Sequence, residues 1–247
     1  MRYLLLFFTL AILSSCDKAL VESTNSAISP NGTGGSLARF TLAGNYLYVV
    51  ENTALKTYDV STASNPVLKN TVEVGGSIET IYPYKNTLFI GSQSGMFIYT
   101  IGNPAAPKYL GAATHVRSCD PVVANDTAAF VTLRSGSACG SPADGVYFYS
   151  ITDLLHPALV LTLNLGTPYG LGLQDSTLFV CRGINGLSVI NVHNIHAPVT
   201  MQTITASDFR DVIPYNGLLI CYVTDGIALY DISNIANIKF IKKVRNS

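Results

Sequence analysis

Charge is scarce in this 247-residue chain: 12% of residues are Asp, Glu, Lys or Arg, 48% are hydrophobic, and the formal net charge is zero. Charged residues at corresponding places are therefore informative. Ten positions before Tyr48, Phe89, Phe130, Phe179 and Ile220 stand Ala38, Glu79, Asp120, Tyr169 and Arg210. The next column holds Arg39, Thr80, Pro121, Gly170 and Asp211, and His115 and Arg117 lie just upstream of Asp120. A scaffold that gathers these columns would make a funnel of carboxylates, guanidiniums and a phenol, able to hold a small polar ligand or a peptide terminus. Two carboxylates about 5–9.5 Å apart across a sugar could instead hydrolyse a glycoside, and Glu79, Asp120 and Asp211 are the only plausible set. Ion pairs, Glu79–Arg39 or Asp120–Arg210, would give the same columns a structural role.

Other chemistry is thinly represented. His193-Asn194-Ile195-His196 has a metal-like spacing, but no third ligand stands nearby, and these histidines, like His156, read as exposed turn residues. No Asp-x-Asp-x-Asp loop and no Gly-rich phosphate loop is present, so no metal or cofactor is expected. A balanced charge without a basic tract argues against nucleic-acid binding. The chain has no Trp for stacking on sugars. Arg182 sits in a turn that could lie on either side of the funnel. The expectation is a non-enzymatic binding or scaffolding module with a protein or glycan ligand; the alternative is a carbohydrate-active enzyme using the carboxylates at the channel mouth.

A repeat must position these columns. The turn and apolar burst Gly44-Asn45-Tyr46-Leu47-Tyr48-Val49-Val50 returns as Asn86-Thr87-Leu88-Phe89-Ile90, Thr127-Ala128-Ala129-Phe130-Val131, Ser176-Thr177-Leu178-Phe179-Val180 and Gly217-Leu218-Leu219-Ile220, with a period of about 41 residues. Tyr58-Asp59-Val60, Tyr99-Thr100-Ile101, Tyr149-Ser150-Ile151, Ile190-Asn191-Val192 and Tyr230-Asp231-Ile232 keep the same step, followed by Pro66, Pro107, Pro157 and Pro198, with Ile238 in the fifth place. Each unit reads as four short strands. Between the second and third lie Ser94-Gly95, Asp144-Gly145, Asn185-Gly186 and Asp225-Gly226, dipeptides that favour type I′ turns. Continuous apolarity in the second strands means burial on both faces. Lys69, Lys108, Lys239, Lys242 and Lys243 mark the fourth strand as the outer edge. The predicted fold is all-β: a five-bladed β-propeller of four-stranded antiparallel blades, monomeric, over residues 37–244, with blades near 37–75, 77–113, 115–165, 166–205 and 206–244.

These markers resemble the LVIVD-repeat proteins of bacterial cell surfaces. The likeness rests on the apolar strand, the x-Gly turn, Tyr58-Asp59-Val60-Ser61 leading to Asn65-Pro66, and Tyr230-Asp231-Ile232-Ser233. It extends to Cys119-Asp120-Pro121-Val122-Val123 and to Asp211-Val212-Ile213-Pro214-Tyr215-Asn216-Gly217, segments similar to a lipoprotein branch in Bacteroidota. The resemblance implies a propeller, an envelope location and no established activity. Thr100, Ser150 and Asn191 depart from the signature Asp, but each can bond its own turn backbone.

The chain opens on an address. Arg2 is followed by an apolar run from Tyr3 to Leu13, too short to span a bilayer, and then Leu13-Ser14-Ser15-Cys16. This resembles a lipobox, so residues 1–15 are expected to be a signal peptide and Cys16 the lipidated residue. Residues 16–36 read as that Cys and a flexible tether. The expected location is the bacterial envelope, lipid-anchored in the outer membrane on its periplasmic or cell-surface face. In oxidising surroundings Cys119 and Cys139 are expected to form a disulfide that pins the long hairpin of the third repeat, while Cys181 and Cys221 read as buried free thiols.

Overall fold

The computed structural model describes residues 34–114, 121–135 and 144–246. The signal segment and Cys16, the residues His115, Arg117, Cys119 and Asp120, and Cys139 all lie outside the described residues.

Among the described residues twenty strands form five four-stranded antiparallel sheets, each in simple sequence order. Blade 1 is β1 (Phe40–Ala43), β2 (Tyr46–Glu51), β3 (Ala54–Asp59) and β4 (Val67–Glu73). Blade 2 is β5 (Ile78–Tyr84), β6 (Thr87–Ser92), β7 (Gly95–Thr100) and β8 (Lys108–Thr114). Blade 3 is β9 (Val122–Ala124), β10 (Ala128–Leu133), β11 (Gly145–Ser150) and β12 (Ala158–Leu163). Blade 4 is β13 (Leu171–Gln174), β14 (Thr177–Cys181), β15 (Leu187–Asn191) and β16 (Val199–Ile204). Blade 5 is β17 (Phe209–Tyr215), β18 (Leu218–Val223), β19 (Gly226–Asp231) and β20 (Lys239–Arg245). The first strands of successive blades pack on one another about the axis. The lysine-bearing fourth strands form the outer edge, where Lys69, Lys108, Lys239 and Lys242 are exposed. Among the described residues no helix is long and apolar enough to cross a membrane.

The repeat markers have separate physical jobs. The Asx side chains that end third strands close their own turns: Asp59 Oδ1 accepts from the Ser61 amide (3.0 Å) and hydroxyl (2.7 Å), and Asp231 does the same for Ser233 (2.9 and 2.6 Å). Asn191 and Thr100 serve the equivalent turns. The x-Gly turns differ from expectation. A type I′ turn needs positive φ at both central residues, and none of Ser94-Gly95, Asp144-Gly145, Asn185-Gly186 and Asp225-Gly226 shows that pair, whereas Asn216-Gly217, between β17 and β18, does (φ 48° and 77°). Gly95, Gly145 and Gly226 instead begin the third strand, and Gly186 immediately precedes it. A Cβ on Gly226 (φ 143°) would run into the carbonyl oxygen of Val244 on β20.

Four apolar clusters seal the seams between consecutive blades. Tyr48, Phe89, Phe130 and Phe179 each face forward into the next blade and are fully buried. Tyr99, Tyr149, Ile190 and Tyr230 face backward and close the same seams. The column ends are different. Ile220 faces forward from blade 5 and Tyr58 backward from blade 1, and both are only half-buried. No apolar cluster joins blade 5 to blade 1 among the described residues.

Contact at that fifth seam is made close to the axis by Gly35–Leu37. The end of the segment read from sequence as tether is therefore packed: Gly35 and Ser36 are buried. Composition misleads here, because small polar residues fit a crowded axis as well as they suit a linker.

Phe179→Ala, at a sealed seam, is expected to cost about 3–5 kcal/mol. Ile220→Ala, at the unsealed one, should cost only about 1 kcal/mol, since less area is taken from water. Denaturant melts of dilute protein check the contrast, and equal losses would mean that the fifth seam is packed.

Candidate functional site

The sequence columns do converge. A cavity of about 220 Å³ opens where the innermost strands begin, lined by Leu37, Glu79, Thr80, Pro121, Thr132, Arg134, Pro168, Tyr169 and Gly170. Five of the lining residues come from the two expected columns: Glu79, Thr80, Pro121, Tyr169 and Gly170. The first residues of β5 and the lead-ins to β9 and β13 deliver them because antiparallel blades start every inner strand at the same mouth.

Tyr169 is the most firmly placed. Its amide donates to Cys181 O (2.7 Å), and its carbonyl accepts from Thr132 Oγ1 (2.8 Å). Gly183 (φ 58°) lies against the Cδ2–Cε2 edge of the ring, where a Cβ would sit 2.9 Å from Cε2. Two guanidiniums lie over that ring, Arg134 at 4.4 Å and Arg210 at 4.3 Å from its centroid, both in cation–π range. Arg210 also donates to Asp208 Oδ2 (2.7 Å), while its Nε and the other Asp208 oxygen are buried without a partner among the described atoms.

The remaining sequence candidates are distributed differently. Glu79 lines the cavity and accepts from the Gln93 amide at 3.3 Å. Arg39 donates to Ile78 O (3.3 Å) and Arg210 to Asp208, so the described partners are not those of the expected Glu79–Arg39 and Asp120–Arg210 pairs. Arg182 braces its own turn through Leu165 O (2.7 Å) and Ser188 Oγ (3.2 Å). Asp120 and Arg117 lie outside the described residues.

Asp211 is not part of the cavity wall. Its Oδ1 accepts from the Ser36 hydroxyl (3.1 Å), and Ser36 Oγ in turn accepts from the Leu171 amide (2.7 Å). Ser36 thus latches the segment before β1 to blades 4 and 5. Burial pushes the Asp211 carboxyl up to about 6, although hydrogen bonds from Val212 N–H, Ser36 and Leu37 N–H pull it down. Burial likewise raises the thiols of Cys181 and Cys221, which are free and buried in the seam beside it.

Arg134 is the residue that the sequence analysis passed over. It stands four positions after the anchor, in a column with Asn52, Gln93, Gly183 and Thr224. Gln93 and Gly183 of that column also touch the site, so the same spacing argument applied to the second-strand exits would have found it. A second cavity, of about 350 Å³, was also missed. It lies at the opposite mouth, among the first hairpin turns, with Tyr82, Tyr84, Asp126 and Asp175 in its wall; Asp126 there is paired with Lys85. His193 and His196 are exposed, and His156 is an exposed partner of Asp153.

Residues 34–74 match the family model of the LVIVD repeat. No curated protein matches the chain in sequence. Solved β-propellers resemble its fold. One is a functionally unknown protein from Desulfotomaculum acetoxidans (TM-score 0.68, 9% identity, 82% of this chain and 67% of that one). Others are AztD from Citrobacter koseri (0.61, 12%, 83% and 61%) and the periplasmic gluconolactonase PpgL from Pseudomonas aeruginosa (0.60, 13%, 82% and 68%). This chain spans only about three-fifths to two-thirds of the length of these structures. At such identity the likeness shows the fold alone.

The Asp211 latch carries a pH signature. The folded-state pKa is raised above the ordinary carboxylate value, so this group's contribution to stability is full below about pH 4 and is lost as pH rises through about 6. Asp211→Asn should therefore gain about 1–3 kcal/mol relative to wild type between about pH 4 and 7. Urea melts of both proteins across that range check it; parallel pH profiles would show that Asp211 is solvated.

Proposed function

We propose that this protein is an envelope-anchored binding module, a non-enzymatic propeller that captures a carboxylate-bearing ligand such as a peptide terminus at the Tyr169 mouth. The observation that carries this reading is the placement of Arg134 and Arg210 over one ring beside the cavity. Guanidiniums bind carboxylates through paired, charge-assisted hydrogen bonds, and a half-buried setting strengthens them. The volume supports a terminus over a whole molecule, since pockets for drug-sized ligands run from about 300 Å³ upward. Leu37, Pro121 and Pro168 supply apolar wall for the adjoining side chain.

The alternative of a carbohydrate-active enzyme needs two carboxylates across one sugar. Among the described residues Glu79 is the one carboxylate in the wall of this cavity, and Asp211 is held by Ser36 and backbone amides. That arrangement favours binding.

Arg210→Ala is expected to keep the fold while weakening capture of short peptides with a free C-terminal carboxylate by at least about tenfold, with little effect on their amidated counterparts. Calorimetric titration of both peptide sets reads this directly; unchanged affinity would remove Arg210 from the site. For the anchor, the support is the order of apolar run, small residues and Cys16. Cys16→Ala should move the protein from the membrane pellet to the soluble fraction, and a variant that still sediments with membranes would sink the lipid-anchor reading.

A further inference from the structure

We infer that the two bare blade faces at the fifth seam are a head-to-tail interface between copies of this chain. The backward face of blade 1 carries one apolar row across its four strands, Leu42, Leu47, Tyr58 and Leu68, and Phe40 and Val49 extend it in the next row, which ends in Lys56 and Thr71. Phe40 is 63% exposed. The forward face of blade 5 carries the row Ile213, Ile220 and Leu229, flanked by Tyr222, Ile227 and Val244. Tyr222 is 52% exposed. Contiguous apolar faces of this kind mark interaction surfaces.

The internal repeat identifies the occupant. Every sealed seam joins the forward face of one blade to the backward face of the next. In each, the forward anchor (Tyr48, Phe89, Phe130 or Phe179) meets a sheet whose third strand offers Tyr99, Tyr149, Ile190 or Tyr230. Among the described residues Ile220 is the forward anchor without such a neighbour, and Tyr58 the backward residue without such an anchor. A second copy presents to each face the surface that the repeat already pairs with it four times. On the outer strands the charges are opposite: Lys242 ends the Ile213–Ile220–Leu229 row of the forward face, and Glu73 lies on the backward face, while Glu51 there is paired with Lys56 and Lys239 stands opposite Asp231.

Size sets the expected strength. Four strands about 4.8 Å apart and about six residues long give each face a footprint of roughly 400 Å². One seam is therefore smaller than a standard interface of roughly 800 Å² a side. A copy with a neighbour at both faces reaches that class, so association should be weak for a pair and grow with concentration. The contact is heterologous, two different patches meeting, which gives a closed ring or an open chain of copies according to the rotation between them.

Sedimentation velocity of the full chain in detergent tests the inference. Wild type should show mass rising with concentration. Phe40→Glu and Tyr222→Glu alter exposed residues, so both should keep the wild-type circular dichroism while each alone raises the dissociation constant at least about tenfold. Mixed together they should form dimers and nothing larger, because the first variant keeps an intact blade 5 face and the second an intact blade 1 face. Wild type that stays monomeric at every concentration overturns the inference and assigns the faces to another occupant, such as residues 17–33 or a different protein. Loss of association in one variant with none in the other overturns the head-to-tail pairing in favour of a symmetric contact.

Discussion

An apolar sheet with two apolar faces needs a neighbour on each side, and that requirement organises this protein. The second strand of each inner blade is apolar at consecutive positions, so no orientation of the strand leaves a polar face for water. Stacking blades around an axis satisfies this, with Phe89, Phe130 and Phe179 each closing the seam ahead. The same requirement explains the ends of the chain. The second strands of blades 1 and 5 alternate between buried and more exposed positions where those of blades 2 to 4 are buried almost throughout, because each end blade has one neighbour in place of two among the described residues.

The mouth chemistry follows from that scaffold. Repetition fixes where each inner strand begins, so columns of unrelated residues converge without any local rule for their identity. Side chains that do not pack are free to diverge there, and they do: a glutamate, a tyrosine and an arginine occupy equivalent places. Tyr169 then acts as a platform, held through its own backbone, on which Arg134 and Arg210 rest. Asp211, one residue on, points into the protein and fastens Ser36. Neighbours in sequence thus serve opposite purposes, one presented to ligand and one consumed by closure.

Much of the architecture was legible in the residues. The period, the strand count, the outer lysines and the self-bonding turns at Asp59 and Asp231 all rest on local chemistry that needs no tertiary knowledge. The site was partly legible, because column alignment brings Glu79, Thr80, Tyr169 and Gly170 together. Arg134 escaped because it belongs to a different turn that only the ring geometry carries over Tyr169. Asp211 escaped as a latch because its partner, Ser36, sits in a Gly- and Ser-rich stretch whose composition says linker. The x-Gly turns were misassigned because a glycine can be required by close approach of a neighbouring backbone, as at Gly226, as well as by turn type. The unsealed seam was invisible in the repeat itself: Tyr58 and Ile220 fit their columns, and only the arrangement of blades leaves them without partners.

The central claim is that four seams are sealed and the fifth is not. Hydroxyl-radical footprinting of dilute protein, read by mass spectrometry, measures this residue by residue. The account predicts rapid oxidation at Phe40, Tyr58 and Tyr222 and strong protection at their counterparts within the sealed seams, Tyr99, Tyr149 and Tyr230. Protection of Tyr58 and Tyr222 as strong as that of Tyr99 would contradict it, and would mean that blade 5 closes directly on blade 1.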